Sequence, residues 1–388
     1  MKYLGLAPVF LALASAAVVP RSGAKAVYYL DNDPAGASIV SLQVDPQDGT
    51  LSNPVRTSTG GLGLLGNTAA GPAAADPLFS QGSVVVVNDR LLTVNPGSNT
   101  LALFRLDPND PYHPALVGQP VSTGGTFPVS VAFSHALHIA CVLNSGHIAG
   151  IACFHVDDNG LTPAGDFMPI ALTVNQTTPP VGPFNTASEI VFNPSSSALF
   201  ATVKGNPTTP GFIYAFPVRN GLVSPAPVVS RPPELLVDFA LTFLNDSQAV
   251  IVDPSHGAAF LDVAYPSLDV HVAKDIVIQG QVAACWVEYS ARFNAVFVFD
   301  AGRPEVVALD PLTGDIKYTI VAPPQTRGNF DSVVFGKYLY MLQGASGISV
   351  FTLEGSVGNG KTPSLVQNLD LTALGSRSGW IGMAAYPN

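Results

Sequence analysis

An all-β, seven-bladed β-propeller with four-stranded blades, the first of them closed by the C-terminal strand, is the fold that this 388-residue sequence predicts. Three observations predict it. Glycine (36) and proline (34) recur along the whole chain, and hardly any segment places apolar residues at helical spacing over three turns. A short apolar strand ending in an aromatic or large apolar residue recurs seven times. The first repeat lacks that strand, and a surplus copy stands at the far end of the chain.

The recurring strand is the innermost of each blade. It reads SVVVV ending at Val87, VSVAF at Phe133, SEIVF at Phe192, FALTF at Phe243, CWVEY at Tyr289, DSVVF at Phe335 and GMAAY at Tyr386, with 46 to 59 residues between successive ends. The second strand follows as VYYL (27–30), LLTVN (91–95), HIACVLN (138–144), ALFATVK (198–204), QAVIVD (248–253), AVFVFD (295–300) and YLYMLQ (338–343). The third is SIVSLQVD, TLALFRLD, GIACFHVD, FIYAFPV, AAFLDV, VVALD and ISVFTL. Turns such as DPQDG, DDNG, RNG and DPLTG come after several of these, and lead into a more variable outer strand. Four strands repeating at about 50 residues is the propeller period, in which no blade buries both faces alone.

The termini account for closure. The first repeat begins with its second strand, VYYL, whereas GWIGMAAYPN at the C-terminus is an innermost strand with nothing after it. Pairing the two completes the first blade and removes an open sheet edge. Residues 26–388 therefore read as one domain, after a short segment, 17–25, and a leader, 1–16. That leader, MKYLGLAPVFLALASA, has a lysine, an apolar run and small residues near its end, the pattern of a secretory signal.

Hydrophobic residues make up 47% of the chain and charged residues only 11%, with a formal net charge of −10 and no like-charge run longer than two. Clustered Lys and Arg, which nucleic acid or an anionic membrane surface would require, are absent. Beyond the leader no stretch reaches the roughly 20 apolar residues of a membrane helix. The expectation is a secreted monomer, extracellular or associated with the cell wall, with glycan acceptors at Asn175 and Asn245 in the sequons NQT and NDS.

Cys141 and Cys153 lie on the second and third strands of one blade and flank the turn NSGHIAG, so antiparallel pairing makes them near-opposite neighbours. A disulfide between them, with Cys285 free, is expected in a secreted chain. His135, His138, His147 and His155 share that segment, but their spacing fits no ligand frame, and no metal or cofactor is expected. The STGG stretches at 58–61 and 122–125 precede no helix and read as turns between blades. No Gly-x-Ser-x-Gly elbow is present, and Trp286 and Trp380 read as core.

Glu189 stands out within the apolar run NTASEIVFNP, because a buried carboxylate costs several kcal/mol unless it is paired, hydrogen-bonded or protonated. The blades, with FPVSVAFS, HIACVLN, GIACFHVDDNGLTP and LLTVNPGSNTLALFRLD, resemble the lactonase-type propellers, which include bacterial 6-phosphogluconolactonase and fungal 3-carboxymuconate cyclase. Within them the chain resembles secreted fungal carboxymuconate cyclase-like proteins, over nearly its whole mature length. The resemblance implies a site at one mouth of the central channel, where a His, a Glu and arginines hold a polyanion and move a proton. SEI matches the family's Glu stretch, which makes Glu189 the implied catalytic acid or base.

Elsewhere the sequence departs from that pattern. FPVS puts Val129 and Ser130 where a GPRH stretch is expected, VDFALTF replaces a PRxF stretch, and no arginine lies between Arg105 and Arg219 or between Arg231 and Arg292. Lys204 and Arg327 are left as candidate anion contacts. Two function classes follow. One is an enzyme or binder of a small, mostly apolar lactone or organic acid at the channel mouth, with the parent cyclase activity lost. The other is a non-catalytic extracellular binding or antigenic propeller in which Glu189 only hydrogen-bonds backbone or water.

Overall fold

The computed structural model describes residues 23–355 and 362–387, so the expected leader lies outside the described residues. Seven antiparallel sheets of four or five strands follow one another along the chain, and a two-stranded ribbon, Asn67–Thr68 with Gly71–Pro72, lies between the first and the second. Their innermost strands are Trp380–Tyr386, Val84–Val87, Pro128–Ser134, Ala187–Phe192, Ala240–Asn245, Ala284–Ser290 and Asn329–Phe335, for blades 1 to 7. Trp380–Tyr386 pairs with Ala26–Asp31, which closes blade 1 from both ends of the chain as the sequence predicts. Blades 1, 5, 6 and 7 have four strands. In blades 2, 3 and 4 the outer edge is divided between two strands that pair with the same third strand.

The inner two strands of each blade are apolar on both faces because neighbouring blades cover both. Ile139–Asn144, Ala198–Val203 and Ala295–Asp300 are buried at every position. In blade 3, Cys141 faces Cys153 in register and the two form a disulfide, and Cys285 is free and buried.

Two irregularities shape the centre. In five blades the innermost strand gains a residue over its partner near its N-terminal end, at Val129, Ser188–Glu189, Cys285, Phe330–Asp331 and Gly382–Met383. Such bulges re-aim side chains, and here all five sit at one mouth of the channel.

The connection from blade 1 to blade 2 is the second irregularity. It runs from Thr59 to Ser83, long for a compact domain, and its last part crosses the mouth. The Ser80 hydroxyl donates to the Val129 carbonyl (2.9 Å), and the Trp286 indole donates to the Ser80 carbonyl (3.2 Å). Gln81 exchanges two bonds with the backbone of Val287 (2.9 and 3.0 Å). Phe79, at a φ of 55°, fits its ring against Gly66 and Gly182, where a Cβ would come within 2.5 Å of the ring.

Candidate functional site

The inner edge of each innermost strand has no neighbour within its blade, so its N–H groups must find partners across the channel. At one level, two residues before the strand's terminal aromatic, four successive blades satisfy this need. The Val131 N–H donates to the Gly82 carbonyl (2.9 Å), Ile190 N–H to Ser130 Oγ (3.1 Å), Leu241 N–H to Glu189 Oε2, and Val287 N–H to Gln81 Oε1 (3.0 Å). Val334 N–H donates to Glu288 Oε1 (3.4 Å), and Gly382 N–H to Asp331 Oδ2 (2.7 Å). Glu189 is thus one of a series of side chains that join a blade to the next.

Burial pushes the Glu189 carboxyl up to about 8, with Asp331 and Glu288 adding to the rise and the Leu241 N–H opposing it. Asp331 is likewise raised to about 8 and Glu288 to about 7, both chiefly by burial. Asp331 and Glu288 lie near enough to Glu189 for their charges to act on it.

Lys204 is not joined to Glu189. It follows the last residue, Val203, of the second strand of blade 4, where the second strands of the other blades close on Asp31, Asn95, Asn144, Asp253, Asp300 and Gln343. At two of those places the carboxylate accepts N–H groups of the loop entering its blade: Asp253 from Leu236 and Val237, Asp300 from Val282 and Ala283. Lys204 instead sends its ammonium inward to the Phe79 carbonyl, which the Ser188 hydroxyl also reaches (3.3 Å). The ammonium lies 4.5 Å from the centre of the Phe239 ring. Burial drives its pKa well down, against the field of Asp76. Arg327 is exposed, at φ 59° in the loop before blade 7, and makes no ion pair among the described residues. Of the three residues that the resemblance and its departures single out, the structure brings no two together.

Beside the crossing segment lies a cleft of about 540 Å³, opening among blades 4 to 7. Its walls are largely apolar: Pro183, Phe184, Pro207, Leu236, Phe239, Trp286 and Phe330, with the Cys285 thiol and the Asp76 carboxyl as polar groups on side chains, beside Ser255. Trp286 stands between Phe239 and Phe330, at ring-centre distances of 4.9 and 5.0 Å. A cation lies behind each outer ring, Lys204 at Phe239 and Arg377 at Phe330 (4.9 Å). Trp286 is therefore both core, being 1% exposed, and cleft wall.

Asp76 and Arg377 were not singled out by the sequence. Arg377 is buried, donates through Nε to the Gln343 carbonyl and through Nη1 to the Trp380 carbonyl (2.7 Å), and leaves Nη2 without a partner. Asp76 Oδ1 is sealed from solvent and also without a partner. Burial raises the Asp76 carboxyl well above the usual carboxylate range, while Lys204, the Phe79 and Ser80 N–H groups and Arg377 draw it back. Asp238, close to Lys204, is fully buried with both oxygens unpartnered, and burial, with the nearby Asp253 adding to it, pushes its carboxyl well above the usual carboxylate range. No group of three or more His, Cys, Asp or Glu residues able to hold a metal occurs among the described residues, and no helix there is long and apolar enough to cross a membrane.

No protein-family model matches the sequence, and no curated protein does. Solved structures match along nearly the whole chain. A periplasmic gluconolactonase of Pseudomonas aeruginosa superposes with a TM-score of 0.64 at 16% identity, covering 93% of this chain and 99% of that one. A putative 6-phosphogluconolactonase of Bacteroides fragilis gives 0.62 at 12% identity, with coverage of 93% and 98%. A Lactobacillus plantarum protein gives 0.64 at 14%, covering 94% and 99%. At these identities the likeness is one of fold: the chain is a propeller of the architecture found in lactonase-like proteins.

Proposed function

We propose that this protein binds a small, mostly apolar lactone or organic acid in the cleft at the channel mouth, and that the polyanion chemistry of its cyclase-like relatives has been lost. The cleft carries the proposal. Its volume suits a small molecule, its walls are aromatic and aliphatic, and neither a histidine nor an arginine lines it. A polycarboxylate or phosphosugar would find no bidentate cation there. The solved structures named for gluconolactonase and 6-phosphogluconolactonase make lactones the first class to test.

In this reading Glu189 serves as an inter-blade join, because its Oε2 is committed to the Leu241 N–H. That same commitment favours a second reading, an extracellular propeller that binds without turnover. Secretion, removal of residues 1–16 and glycans on the exposed Asn175 and Asn245 belong to both readings.

The test uses the two tryptophans. Trp286 lines the cleft, whereas Trp380 is fully buried against Tyr29 in blade 1. Titration with δ-decalactone or dihydrocoumarin should change the fluorescence of the wild type but not of Trp286→Phe, and should slow methanethiosulfonate modification of Cys285. Neither change at millimolar ligand would dispose of the cleft as a binding site.

A further inference from the structure

We infer that Asp76, rather than Glu189, is the proton-transferring residue of this cleft, and that its substrate is an uncharged apolar lactone which it opens by general-base hydrolysis. The inference rests on the cleft being the binding site. It names the residue that acts there and the class acted on.

The argument begins with placement. Asp76 is the carboxyl group that faces the cleft, and its Oδ1 is buried without a hydrogen-bond partner. With Oδ1 sealed from solvent, Oδ2 is the oxygen that Asp76 leaves open to the cleft. The segment that carries Asp76 is held at several points. Lys204 and Ser188 bond the Phe79 carbonyl, Trp286 bonds the Ser80 carbonyl, and Gln81 is tied to Val287. A base fixed in this way keeps its open oxygen, Oδ2, at the cleft wall.

The surroundings set its basicity. The charged or titratable groups facing Asp76 are Lys204 from blade 4, Cys285 from blade 6, Asp331 from blade 7 and Arg377 from the approach to the closing strand. Burial raises its pKa and the two cations lower it, which leaves a carboxylate more basic than an exposed one and still able to ionise. A general base works best when its pKa lies near the working pH. Lys204 and Arg377 stand behind Phe239 and Phe330 and act through Asp76, so they are positioning residues.

The step balances without a further reactant. As the oxygen of a water molecule bonds to the lactone carbonyl carbon, Asp76 takes one of its protons. The ring C–O bond then breaks, and the leaving alkoxide takes that proton back. Water and lactone become the open hydroxy acid, and Asp76 is restored. The apolar walls select the substrate, since a polyhydroxylated ring would have to bury hydroxyls with no partners there.

The experiment measures binding and turnover side by side, with δ-decalactone as ligand, Trp286 fluorescence for affinity and acid release to a pH indicator for hydrolysis. Asp76→Asn should bind within about threefold of wild type and hydrolyse at least 100-fold more slowly, the low end of what a general base contributes. The wild-type rate should fall as pH drops through the Asp76 ionisation. In Lys204→Met that fall should move to higher pH, because a cation favouring the carboxylate is gone. Hydrolysis in Asp76→Asn within tenfold of wild type, or hydrolysis that survives there and vanishes in Glu189→Gln, overturns the inference. So does clear binding by the wild type with no acid release, which leaves the binding proposal standing. Absence of any binding removes both. Should Asp76→Asn fail to fold, a pH-independent wild-type rate, or an unmoved pH limb in Lys204→Met, overturns it instead. Equal turnover of δ-gluconolactone overturns the assignment to apolar rings.

Discussion

The ammonium of Lys204 donates to the backbone carbonyl of Phe79, 125 residues earlier in the chain. A blade-4 residue thereby fastens the segment that crosses the channel mouth. This explains why blade 4 carries a cation where the other blades carry an acid or an amide.

Lys204→Met should keep the propeller folded, because Ser188 still bonds the Phe79 carbonyl and Asp76, left without this cation, can take up a proton. The crossing segment should loosen, since its Phe79 carbonyl keeps only the 3.3 Å bond from Ser188. Hydrogen exchange read by mass spectrometry should therefore speed up in peptides covering 76–83 and little elsewhere. Lys204→Glu sets a carboxylate against the Phe79 carbonyl and Asp76, and should remove soluble protein. Unchanged exchange in Lys204→Met would mean that Gln81 and Trp286 hold the segment unaided.

What could be read from the sequence follows from how local each signal is. Seven strand ends, from Val87 to Tyr386, repeat at a nearly fixed period, and the surplus strand at Trp380–Tyr386 leaves one partner, Ala26–Asp31. The Cys141–Cys153 register follows from the turn between them. Glu189 as a residue bonding backbone in the channel was one of the two expectations for it. Asp76, Gln81 and Arg377 escaped because they lie in connections without periodicity, and their partners are in distant blades. One signal was available: the 25 residues from Thr59 to Ser83 exceed what a blade-to-blade turn requires. The polar residue ending every second strand was also visible, but nothing near Lys204 in sequence indicates that it turns inward to Phe79.

The buried acids fix the sign of the pH dependence. Glu189, Glu288 and Asp331 have folded pKa values near 8, 7 and 8, above their ordinary values of 4.5, 4.5 and 3.8. Between those limits the folded protein holds protons that the unfolded chain has released. Their contribution to stability is thus complete below about pH 4 and is lost as pH rises through about 8. The Tm should fall across that interval. Glu189→Gln removes one titrating group while keeping an oxygen for the Leu241 N–H, so its Tm should fall less steeply. Glu189→Ala leaves that N–H without an acceptor and should cost about 1–3 kcal/mol at every pH. A wild-type Tm that rises between pH 5 and pH 8 would contradict this account.

The thiol inventory gives a direct check of blade 3 and blade 6. The chain has three cysteines, two in the bridge and one, Cys285, buried beside the cleft. Ellman's reagent should find one thiol in denaturant without reductant, and less than one under native conditions. The double variant Cys141→Ala, Cys153→Ala should lose about 2–3 kcal/mol, in keeping with a short closed loop. Three free thiols in the denatured, unreduced protein would rule out the bridge.

The last expectation is that the protein does not cyclise 3-carboxymuconate at an enzyme-like rate. Three carboxylates need cationic donors aimed at the charge that moves in the transition state, and loss of a single such donor commonly costs about 10²–10³ in rate. No arginine, lysine or histidine lines the cleft. Both nearby cations stand behind aromatic rings, Lys204 behind Phe239 and Arg377 behind Phe330. The group that does face the cleft, Asp76, is an acid, and its charge would repel a trianion. Entry would also strip water from three carboxylates against walls of Pro, Phe, Leu and Trp, a desolvation that nothing in the lining offsets. Loss of the muconate ultraviolet absorbance, followed with purified protein at near-neutral pH, should stay at the uncatalysed rate for the wild type and for Glu189→Gln alike. Turnover above about 1 s⁻¹, the low end of ordinary enzymes, that vanishes in Glu189→Gln would return the catalytic role to Glu189 and place the reaction in the channel instead of the cleft.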